Sequence, residues 1–432
     1  MTYIAMRELP ATAGYKQGDV LFLCGELFGR GYANGIIEEA RRRGMTIVGA
    51  TVGRRDGDGP LRPLNDEELA AAEENLGGRI INIPLEAGFD MEPGAEGKTV
   101  VELLKGVKAD GWDDLHLDFA DIETARQRGT ARFRANLTQC MTELDRLVPK
   151  GANLLLVHSM AGGIPRARIF MPLLNRIFKG KGDRFVSSEH FWNSDLGKLC
   201  ALNFNEVTAD TFGYLIAASA ALRARLAAEN GRVAAIAYGY HGTEVLIGGE
   251  LRWQTYTPYM QGWAKMRLED VAATARREGV RATVYNCPEI QTNSSALFLG
   301  VELSLYPYLA AVERFAGAAA AAPLRTSCAG LLKDECSVDA VLARADDYLA
   351  SPVLQPFGDR NRWPMHNSRE QMEFMLDRSA ELLDMNRNPK EIVCAVLSAA
   401  VFKGVGRLML DGSWSSEAPV CWLNHDIIAR TR

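Results

Sequence analysis

The sequence predicts an α/β fold: a doubly wound parallel sheet with helical additions. Short apolar segments alternate with segments that have amphipathic helical spacing, which is typical of a parallel sheet covered on both faces. Gly44 and Gly279 each stand where a helix should end just before a strand. The predicted strands are Val20–Cys24, Thr46–Ala50, Arg79–Ile83, Asn153–Val157, Val233–Tyr238 and Ala282–Tyr285, and the predicted helices are Tyr32–Arg43, Thr130–Leu147, Ala209–Ala228 and Leu268–Glu278.

Composition and charge narrow the class of protein. The formal net charge of −5 argues against a nucleic-acid binder, which usually carries a basic patch. No apolar run reaches the ~20 residues that a membrane span needs, and the first residues do not resemble a signal peptide, so we expect a cytoplasmic protein. The eight cysteines and six histidines show neither Cys-x-x-Cys nor His-x-x-x-His spacing, so we expect reduced thiols and no protein metal site.

Two stretches interrupt the alternation of strands and helices. Residues 84–128 are polar and contain glycines, and they predict a long excursion from the sheet. The alanine-rich segment 315–330 predicts the end of a helix and a linker, and the pattern beyond it is mostly helical. With 432 residues available, we expect a main domain at 17–314 and a helical C-terminal extension at 315–432.

A glycine-rich loop follows the first long strand. Gly25, Gly29 and Gly31 lie between that strand and the next helix. Such a loop can turn tightly and bring its backbone close to a pyrophosphate, which the N–H groups of the helix N-terminus then bind. We therefore expect a dinucleotide site here and an NAD(P)-binding main domain; the alternative is a structural turn.

The second strand ends in "TVGRRD", residues 51–56. The residue after this strand meets the adenosine ribose of a bound dinucleotide, and an arginine there can pair with the 2′-phosphate of NADP. Arg54 and Arg55 occupy this place, so we expect NADPH to be favoured over NADH. The alternative is that both arginines point into solvent.

Three further motifs point to one known family. Tyr256 and Lys265 are separated by eight residues in "YTPYMQGWAK", and the turns "LLVHSMA" (155–161) and "AYGYHGTE" (237–244) follow predicted strands. With these motifs the chain resembles the short-chain dehydrogenase/reductase superfamily over about residues 18–310. It is most similar to trans-2-enoyl-CoA and enoyl-acyl-carrier-protein reductases of the Tyr-x8-Lys type. Ordinary members of the superfamily have Tyr-x3-Lys and an Asn-Ala-Gly turn instead.

The resemblance implies a Rossmann-like fold and an activity in fatty acid metabolism. The expected reaction is NAD(P)H-dependent reduction of the 2,3 double bond of an enoyl thioester, carried on CoA or on acyl carrier protein. Tyr256 would donate a hydrogen bond to the thioester oxygen, and Lys265 would hold the nicotinamide ribose. Tyr240 would be a second donor, and Tyr259 is a rival to Tyr256.

The resemblance also assigns residues around the nicotinamide. Ser159 and Met160 lie in the turn after the fourth strand, and Ile290 and Thr292 lie in "CPEIQT" after the sixth. The apolar stretch 296–312 that follows is either a helix that covers the substrate or a core helix. About six extra residues around "LIGGEL", between Tyr240 and Tyr256, depart from the family pattern.

Two other functions stay open at this point. A carbonyl or 3-oxoacyl reductase of the same superfamily would normally show the Asn-Ala-Gly turn and the Tyr-x3-Lys motif, which this chain lacks. A non-catalytic dinucleotide-sensing protein would not need the acid Tyr256. The expected partners are an acyl-CoA or acyl carrier protein thioester and no nucleic acid, and we leave a homo-oligomer open.

Overall fold

The computed structural model describes residues 3–108, 111–160, 187–255, 260–292, 300–388 and 394–432. Its centre is a parallel sheet of eight strands within these ranges. The strands of the described chain are β1 (Tyr3–Ala5), β2 (Val20–Cys24), β3 (Thr46–Thr51), β4 (Arg79–Pro84), β5 (Leu154–His158), β6 (Val233–Gly239), β7 (Thr243–Ile247), β8 (Glu250–Gln254), β9 (Ala282–Asn286) and β10 (Val420–Trp422).

Helices cover both faces of this sheet. The α-helices are α1 (Ala33–Arg42), α2 (Asp66–Leu76), α3 (Val100–Leu104), α4 (Phe119–Leu147), α5 (Glu189–Asn193), α6 (Asp195–Asn205), α7 (Thr211–Ala218), α8 (Ala220–Ala228), α9 (Met260–Arg277), α10 (Val301–Leu305), α11 (Pro307–Phe315), α12 (Ala318–Ala329), α13 (Val338–Ala350), α14 (Arg369–Asp384), α15 (Cys394–Ser415) and α16 (His425–Ala429). Shorter turns of helix are the 3-10 segments Trp112–Asp114 and Pro352–Gly358 and the π-helical segment Glu206–Asp210.

The strand order is β1-β10-β9-β6-β5-β2-β3-β4. From β2 the chain moves outward through β3 and β4, and then β5 returns to the other side of β2. The carboxyl ends of β2 and β5 therefore border a topological switch point, where open α/β sheets bind their ligands.

Burial along β2 shows how the sheet is covered. Leu21 and Leu23 belong to the apolar cluster on one face, whereas Val20 and Phe22 belong to the cluster on the other. Successive side chains of a strand point to opposite faces, so a strand buried on both is continuously apolar. The predicted fold class, a doubly wound parallel α/β sheet with helical additions, is confirmed.

The predicted strands are confirmed to within about two residues at each end, and the helices differ more. Helix α4 begins at Phe119, eleven residues before the predicted start, because the Asp118 side chain accepts from the N–H of Ala120 and caps it. The helix predicted at 209–228 is interrupted at Ser219, whose hydroxyl donates to the carbonyl of Ile216 at 3.0 Å.

The segment "LIGGEL" forms the turn of a β-hairpin that lies outside the main sheet. Strands β7 and β8 pair antiparallel, and Gly248 and Gly249 connect them with φ values of 58° and 78°. Two successive positive φ angles define the tight hairpin turn that glycine pairs favour. The extra residues in this part of the chain therefore build a two-stranded arm next to the carboxyl end of β6.

The C-terminal segment contributes helices and also a strand. Strand β10 lies between β1 and β9, and α15 crosses α1 at very close range. A Cβ atom on Gly35 of α1 would lie 1.9 Å from the carbonyl oxygen of Phe402 in α15. Glycine at this crossing lets the two helix backbones meet. Among the described helices, none has the length and apolar character needed to cross a membrane.

Candidate active site

The carboxyl ends of β2 and β5 are joined by Gly25 and Ser159. The N–H and the hydroxyl of Ser159 both donate to the carbonyl of Cys24, at 3.0 and 3.2 Å. Gly25 has a φ of 139°, and a Cβ atom there would lie 2.3 Å from the Ser159 hydroxyl oxygen. The position therefore requires glycine for its backbone conformation and for this close approach. Two residues predicted from distant motifs thus lie side by side.

The rest of the glycine loop faces open space. Gly31 has a φ of 153°, and a Cβ atom on Gly29 or Gly31 would meet no described atom within 4 Å. Helix α1 then begins at Ala33 without a side-chain cap. The N–H groups of Asn34 and Gly35 donate to the backbone carbonyls of Gly31 and Tyr32, so no side chain covers the start of this helix. Open loop and uncapped helix together fit the shape and polarity of a pyrophosphate.

The two arginines after β3 are held by carboxylates of this chain. Arg54 contacts Glu26 with Nη2 and Oε1 2.7 Å apart, and Arg55 contacts Glu86 with Nη2 and Oε2 2.6 Å apart. The Arg55 side chain is also nearly buried. A phosphate that approached Arg54 would meet the negative charge of Glu26, which follows Gly25 directly. Neither guanidinium is therefore available as a free phosphate ligand.

Lys265 lies in α9 and points at the end of β6. Its side chain is 1% exposed, and Nζ donates to the carbonyl of Tyr238 at 2.7 Å. Nζ also lies 5.0 Å from the ring centre of Tyr240. Burial lowers the pKa of Lys265 to about 7, because the apolar surroundings disfavour the ammonium form. We refer to Lys265 and Tyr240 as the lysine–tyrosine pair; Tyr256 and Tyr259 lie outside the described residues.

Two further tyrosines, Tyr32 and Tyr238, adjoin the lysine–tyrosine pair. The ring centre of Tyr32, at the start of α1, lies 5.6 Å from that of Tyr238 and 5.8 Å from that of Tyr240. The Tyr32 hydroxyl donates to the carbonyl of Pro288, in the turn after β9. Burial raises the pKa of Tyr32 and Tyr240 well above the ordinary value, so both phenols stay protonated and can donate hydrogen bonds.

Of the other residues predicted to contact the cofactor, some lie near the lysine–tyrosine pair and one has its side chain in the core. Ile290 is buried two residues after Pro288, and Thr292 ends the described part of this turn. The Met160 side chain is buried in the apolar cluster under the sheet. The turn after β9 thus reaches the lysine–tyrosine pair, whereas the Met160 side chain packs in the core.

A buried polar network behind the lysine–tyrosine pair is absent from the sequence prediction. Glu269 accepts from His241 Nδ1 at 3.1 Å and from the Asn286 amide at 2.6 Å, and Arg360 pairs with its other oxygen at 3.2 Å. Glu269 follows Lys265 by four residues on the same helix face. This four-residue spacing was the one feature of the sequence that could have indicated Glu269 as a neighbour of Lys265. The network ties α9 to the turn after β6 and to the C-terminal segment.

His158 lies at the carboxyl end of β5, next to the turn that contains Ser159. It ends β5, and its Nε2 lies 2.8 Å from the hydroxyl of Thr211 at the start of α7. Burial, the larger cause, and the nearby charge of Lys265 together lower the pKa of His158 to about 3. The imidazole is therefore neutral near pH 7, so it serves here as a fixed polar contact.

An apolar pocket adjoins the turn after β9. Its walls come from the hairpin β7–β8, from α10 and from the C-terminal segment. Glu289 reaches it from the turn, and its carboxylate accepts from the Ser304 hydroxyl at 3.1 Å. The apolar pocket is lined by Thr243, Val245, Gln254, Thr255, Pro288, Glu289, Gly300, Ser304, Tyr348, Leu349, Leu354, Phe357 and Met375.

Comparison with known proteins identifies the family. The family model described as "Enoyl-acyl carrier protein reductase FabMG" matches residues 2–432. A solved apo structure of FabMG is 50% identical and superposes with a TM-score of 0.93, covering 99% of this chain and 98% of that one. The chain belongs to the FabMG family of enoyl-acyl carrier protein reductases. It is an oxidoreductase that reduces the double bond of an enoyl thioester, as the sequence predicted.

A second FabMG structure corrects the predicted cofactor preference. It is an NADH-bound structure, 43% identical with a TM-score of 0.77, and the match covers 99% of this chain and 98% of that one. The prediction that NADPH is favoured over NADH is therefore wrong. The physical reason is the pairing of Arg54 with Glu26 and of Arg55 with Glu86, which leaves no free guanidinium for a 2′-phosphate. None of the curated proteins matches this chain.

Proposed function

We propose that this FabMG-family enzyme reduces 2-enoyl groups on acyl carrier protein with NADH, by the chemistry of the Tyr-x8-Lys reductases. The observation that carries the proposal is the lysine–tyrosine pair, with its lysine buried, next to the glycine loop of the switch point. The spacing of Tyr256 and Lys265 supports membership of the short-chain dehydrogenase/reductase superfamily.

The proposed dinucleotide site combines the residues around the switch point. Gly25, Gly29 and Gly31 hold the pyrophosphate at the uncapped start of α1. The turn around Ser159 and Met160, through its backbone, and the turn of Ile290 and Thr292 flank the nicotinamide. NADH bound there supplies the hydride. Glu26, already paired with Arg54, disfavours a 2′-phosphate at the adenosine end.

We propose that the protein stabilises the negative charge that develops on the substrate and orients the cofactor. Hydride addition at the β-carbon moves negative charge onto the thioester oxygen, and a positioned hydrogen-bond donor lowers the barrier. We assign that donor to Tyr256, with Tyr259 as its rival, and we assign a second donor to Tyr240. Lys265 holds the ribose and fixes the Tyr240 ring through their contact.

We propose that the apolar pocket takes the acyl chain. Its side chains are mostly aliphatic or aromatic, and it opens beside the turn after β9. Leu349, Leu354, Phe357 and Met375 belong to the segment 315–432, so this C-terminal extension would form the substrate wall of the catalytic domain at 17–314.

The test follows cofactor oxidation with matched substrates. We expect NADH to be oxidised with crotonoyl-acyl carrier protein, more slowly with crotonoyl-CoA, and not with 3-oxobutanoyl-acyl carrier protein. NADPH should serve less well than NADH at equal concentration. Faster reduction of the 3-oxo substrate would show a carbonyl reductase instead.

A further inference from the structure

Glu289 is a carboxyl group placed beside the lysine–tyrosine pair and inside the apolar pocket. It follows Pro288, whose carbonyl accepts from the Tyr32 hydroxyl, so its backbone is anchored at the start of α1. Its side chain lines the pocket together with Leu349 and Met375 and accepts from Ser304 at 3.1 Å. A surface carboxylate would have water or a cation as its partner. This one faces a mostly apolar wall.

The groups around Glu289 favour its neutral form. Among the described residues that line the apolar pocket, none is a lysine, arginine or histidine. Four titratable groups interact electrostatically with Glu289. They are Tyr32 at the start of α1, Tyr240 after β6, Tyr348 from α13 and the buried carboxyl of Glu302 from α10. Desolvation, the largest cause, and the neighbouring Glu302 together raise the pKa of Glu289 to about 8, although the hydrogen bond from Ser304 lowers it.

The position of Glu289 relates it to the reacting end of a bound acyl group. The residue before it, Pro288, accepts from Tyr32, whose ring centre lies 5.8 Å from that of Tyr240. The Glu289 side chain lines the apolar pocket together with Tyr348. The carboxyl therefore lies between the lysine–tyrosine pair and the apolar pocket. A neutral carboxylic acid in that place carries a proton that it can donate to a bound substrate.

We propose that Glu289 donates the proton that the α-carbon of the substrate takes up, an inference that rests on the proposed function. Hydride addition forms the C–H bond at the β-carbon and leaves an enolate. The enolate electron pair then forms a C–H bond at the α-carbon with the Glu289 proton, and the carboxylate remains. Water returns the proton to Glu289 after the saturated product leaves, so atoms and charge balance over one turnover.

This assignment separates two tasks that one phenol would otherwise share. A phenol that stabilises the enolate oxygen must keep its proton during hydride transfer. The Tyr32 hydroxyl is committed to the Pro288 carbonyl. A carboxylic acid whose pKa lies near the working pH is a better proton donor to carbon than a buried phenol with a raised pKa.

The experiment reads the configuration of the new C–H bond. The full-length enzyme reduces crotonoyl-acyl carrier protein with NADH in D₂O, and NMR of the product gives the configuration at C2. Wild type should give one configuration. Glu289→Gln, which keeps the shape but has no acidic proton, should give a mixture and lower kcat by about a hundredfold, the usual scale for a lost general acid.

Two further variants keep the inference falsifiable. Glu302→Gln changes the neighbouring carboxyl, which bonds Ser379 outside the apolar pocket, and should keep the single configuration. Ser304→Ala removes the hydrogen bond that lowers the pKa of Glu289, so the alkaline limb of kcat/KM should move to higher pH. This second variant decides the question if Glu289→Gln does not fold.

The outcomes separate this inference from the proposed function. A Glu289→Gln enzyme with full kcat and a single configuration would overturn the role of Glu289 while enoyl reduction stands. An unchanged alkaline limb in Ser304→Ala, or a mixture from Glu302→Gln, would overturn it as well. Wild type that does not reduce crotonoyl-acyl carrier protein would overturn the proposed function itself.

Discussion

The burial of the Lys265 amine affects both its pKa and the pH dependence of the free energy of unfolding. The folded chain lowers its pKa to about 7 from the ordinary value of 10.5. Between those two values the unfolded chain binds a proton that the folded chain does not, so the free energy of unfolding rises with pH. Below pH 7 both states carry the charge, and the burial penalty is at its full size.

We predict that wild type gains stability over Lys265→Met as the pH rises from 7 towards 10. Methionine fills similar space but does not titrate, so the difference between the two proteins isolates the amine. Urea unfolding at pH 7, 8 and 9 gives the two midpoints. A constant difference across that range would show that Lys265 titrates at its ordinary value.

The tyrosine predicted as the main donor has its own test. Tyr256→Phe removes only a hydroxyl, so NADH binding should survive, and kcat should fall by about a hundredfold or more, the scale of one lost oxyanion donor. Tyr259→Phe is the matched control and should stay near wild type. If the two effects are exchanged, the motif is misaligned by one helical turn. Full activity of both variants would exclude Tyr256 and Tyr259 from this role.

Residue positions were predictable where a local motif determines them. Gly25, Ser159 and Lys265 come together because each follows or faces the carboxyl end of a strand, and strand positions are readable from sequence. The direction of Arg54 was not readable, because it depends on Glu26, which is 28 residues away along the chain. Glu289 was missed because its place in the apolar pocket depends on Ser304 and on the C-terminal segment.

At the scale of elements, the crossing of α1 and α15 is set by glycine. A Cβ atom on Gly35 would lie 1.9 Å from a carbonyl oxygen of α15. We therefore predict that Gly35→Ala forces the helices apart and lowers the free energy of unfolding by about 1–3 kcal/mol, the usual cost of overpacking. The urea midpoint measures the loss.

The matched control is a helical glycine with ordinary surroundings. In α7, a Cβ atom on Gly213 would lie 3.6 Å from a methyl carbon of Val271, which is a normal contact. Gly213→Ala should be neutral or stabilise the protein by up to about 1 kcal/mol. Equal losses in both variants would mean that the α1–α15 crossing is not the cause.

Helix α14 contributes Met375 to the apolar pocket. Met375→Trp should shorten the pocket, so kcat/KM should fall about tenfold more with dodecenoyl- than with crotonoyl-acyl carrier protein. Two lost methylene contacts at about 0.8 kcal/mol each account for that factor. Met372→Trp, buried on the same helix but outside the pocket lining, should affect both substrates equally. An equal response to Met375→Trp would show that the acyl chain lies elsewhere.

Elements were predictable in proportion to their length and apolar character. Strand β2 matches its predicted limits because five consecutive buried apolar residues leave little choice. Strand β10 has only three residues and follows a long helix, so it is too short for a periodic pattern to predict it. Its place between β1 and β9 is decided by pairing with strands more than a hundred residues away.

For the whole molecule, the sheet order brings distant segments to one edge. The glycine loop, the turn after β5 and the turn after β9 lie at the carboxyl ends of parallel strands. The glycine loop and the turn after β5 are neighbours because strands are added on one side of β2 up to β4 and on its other side from β5. The hairpin β7–β8 and the C-terminal helices then enclose the apolar pocket at the same edge. The proposed function therefore places the cofactor and the acyl chain at this same edge, on either side of the lysine–tyrosine pair.

Transfer of deuterium from NADH tests this account most directly. The enzyme is given crotonoyl-acyl carrier protein and NADH carrying deuterium at the transferable position of C4, and mass spectrometry and NMR locate the label. Reduction of the 2,3 double bond predicts butanoyl-acyl carrier protein with deuterium at C3. Label at C2, or no transfer to crotonoyl-acyl carrier protein while 3-oxobutanoyl-acyl carrier protein yields labelled 3-hydroxybutanoyl product, would contradict it.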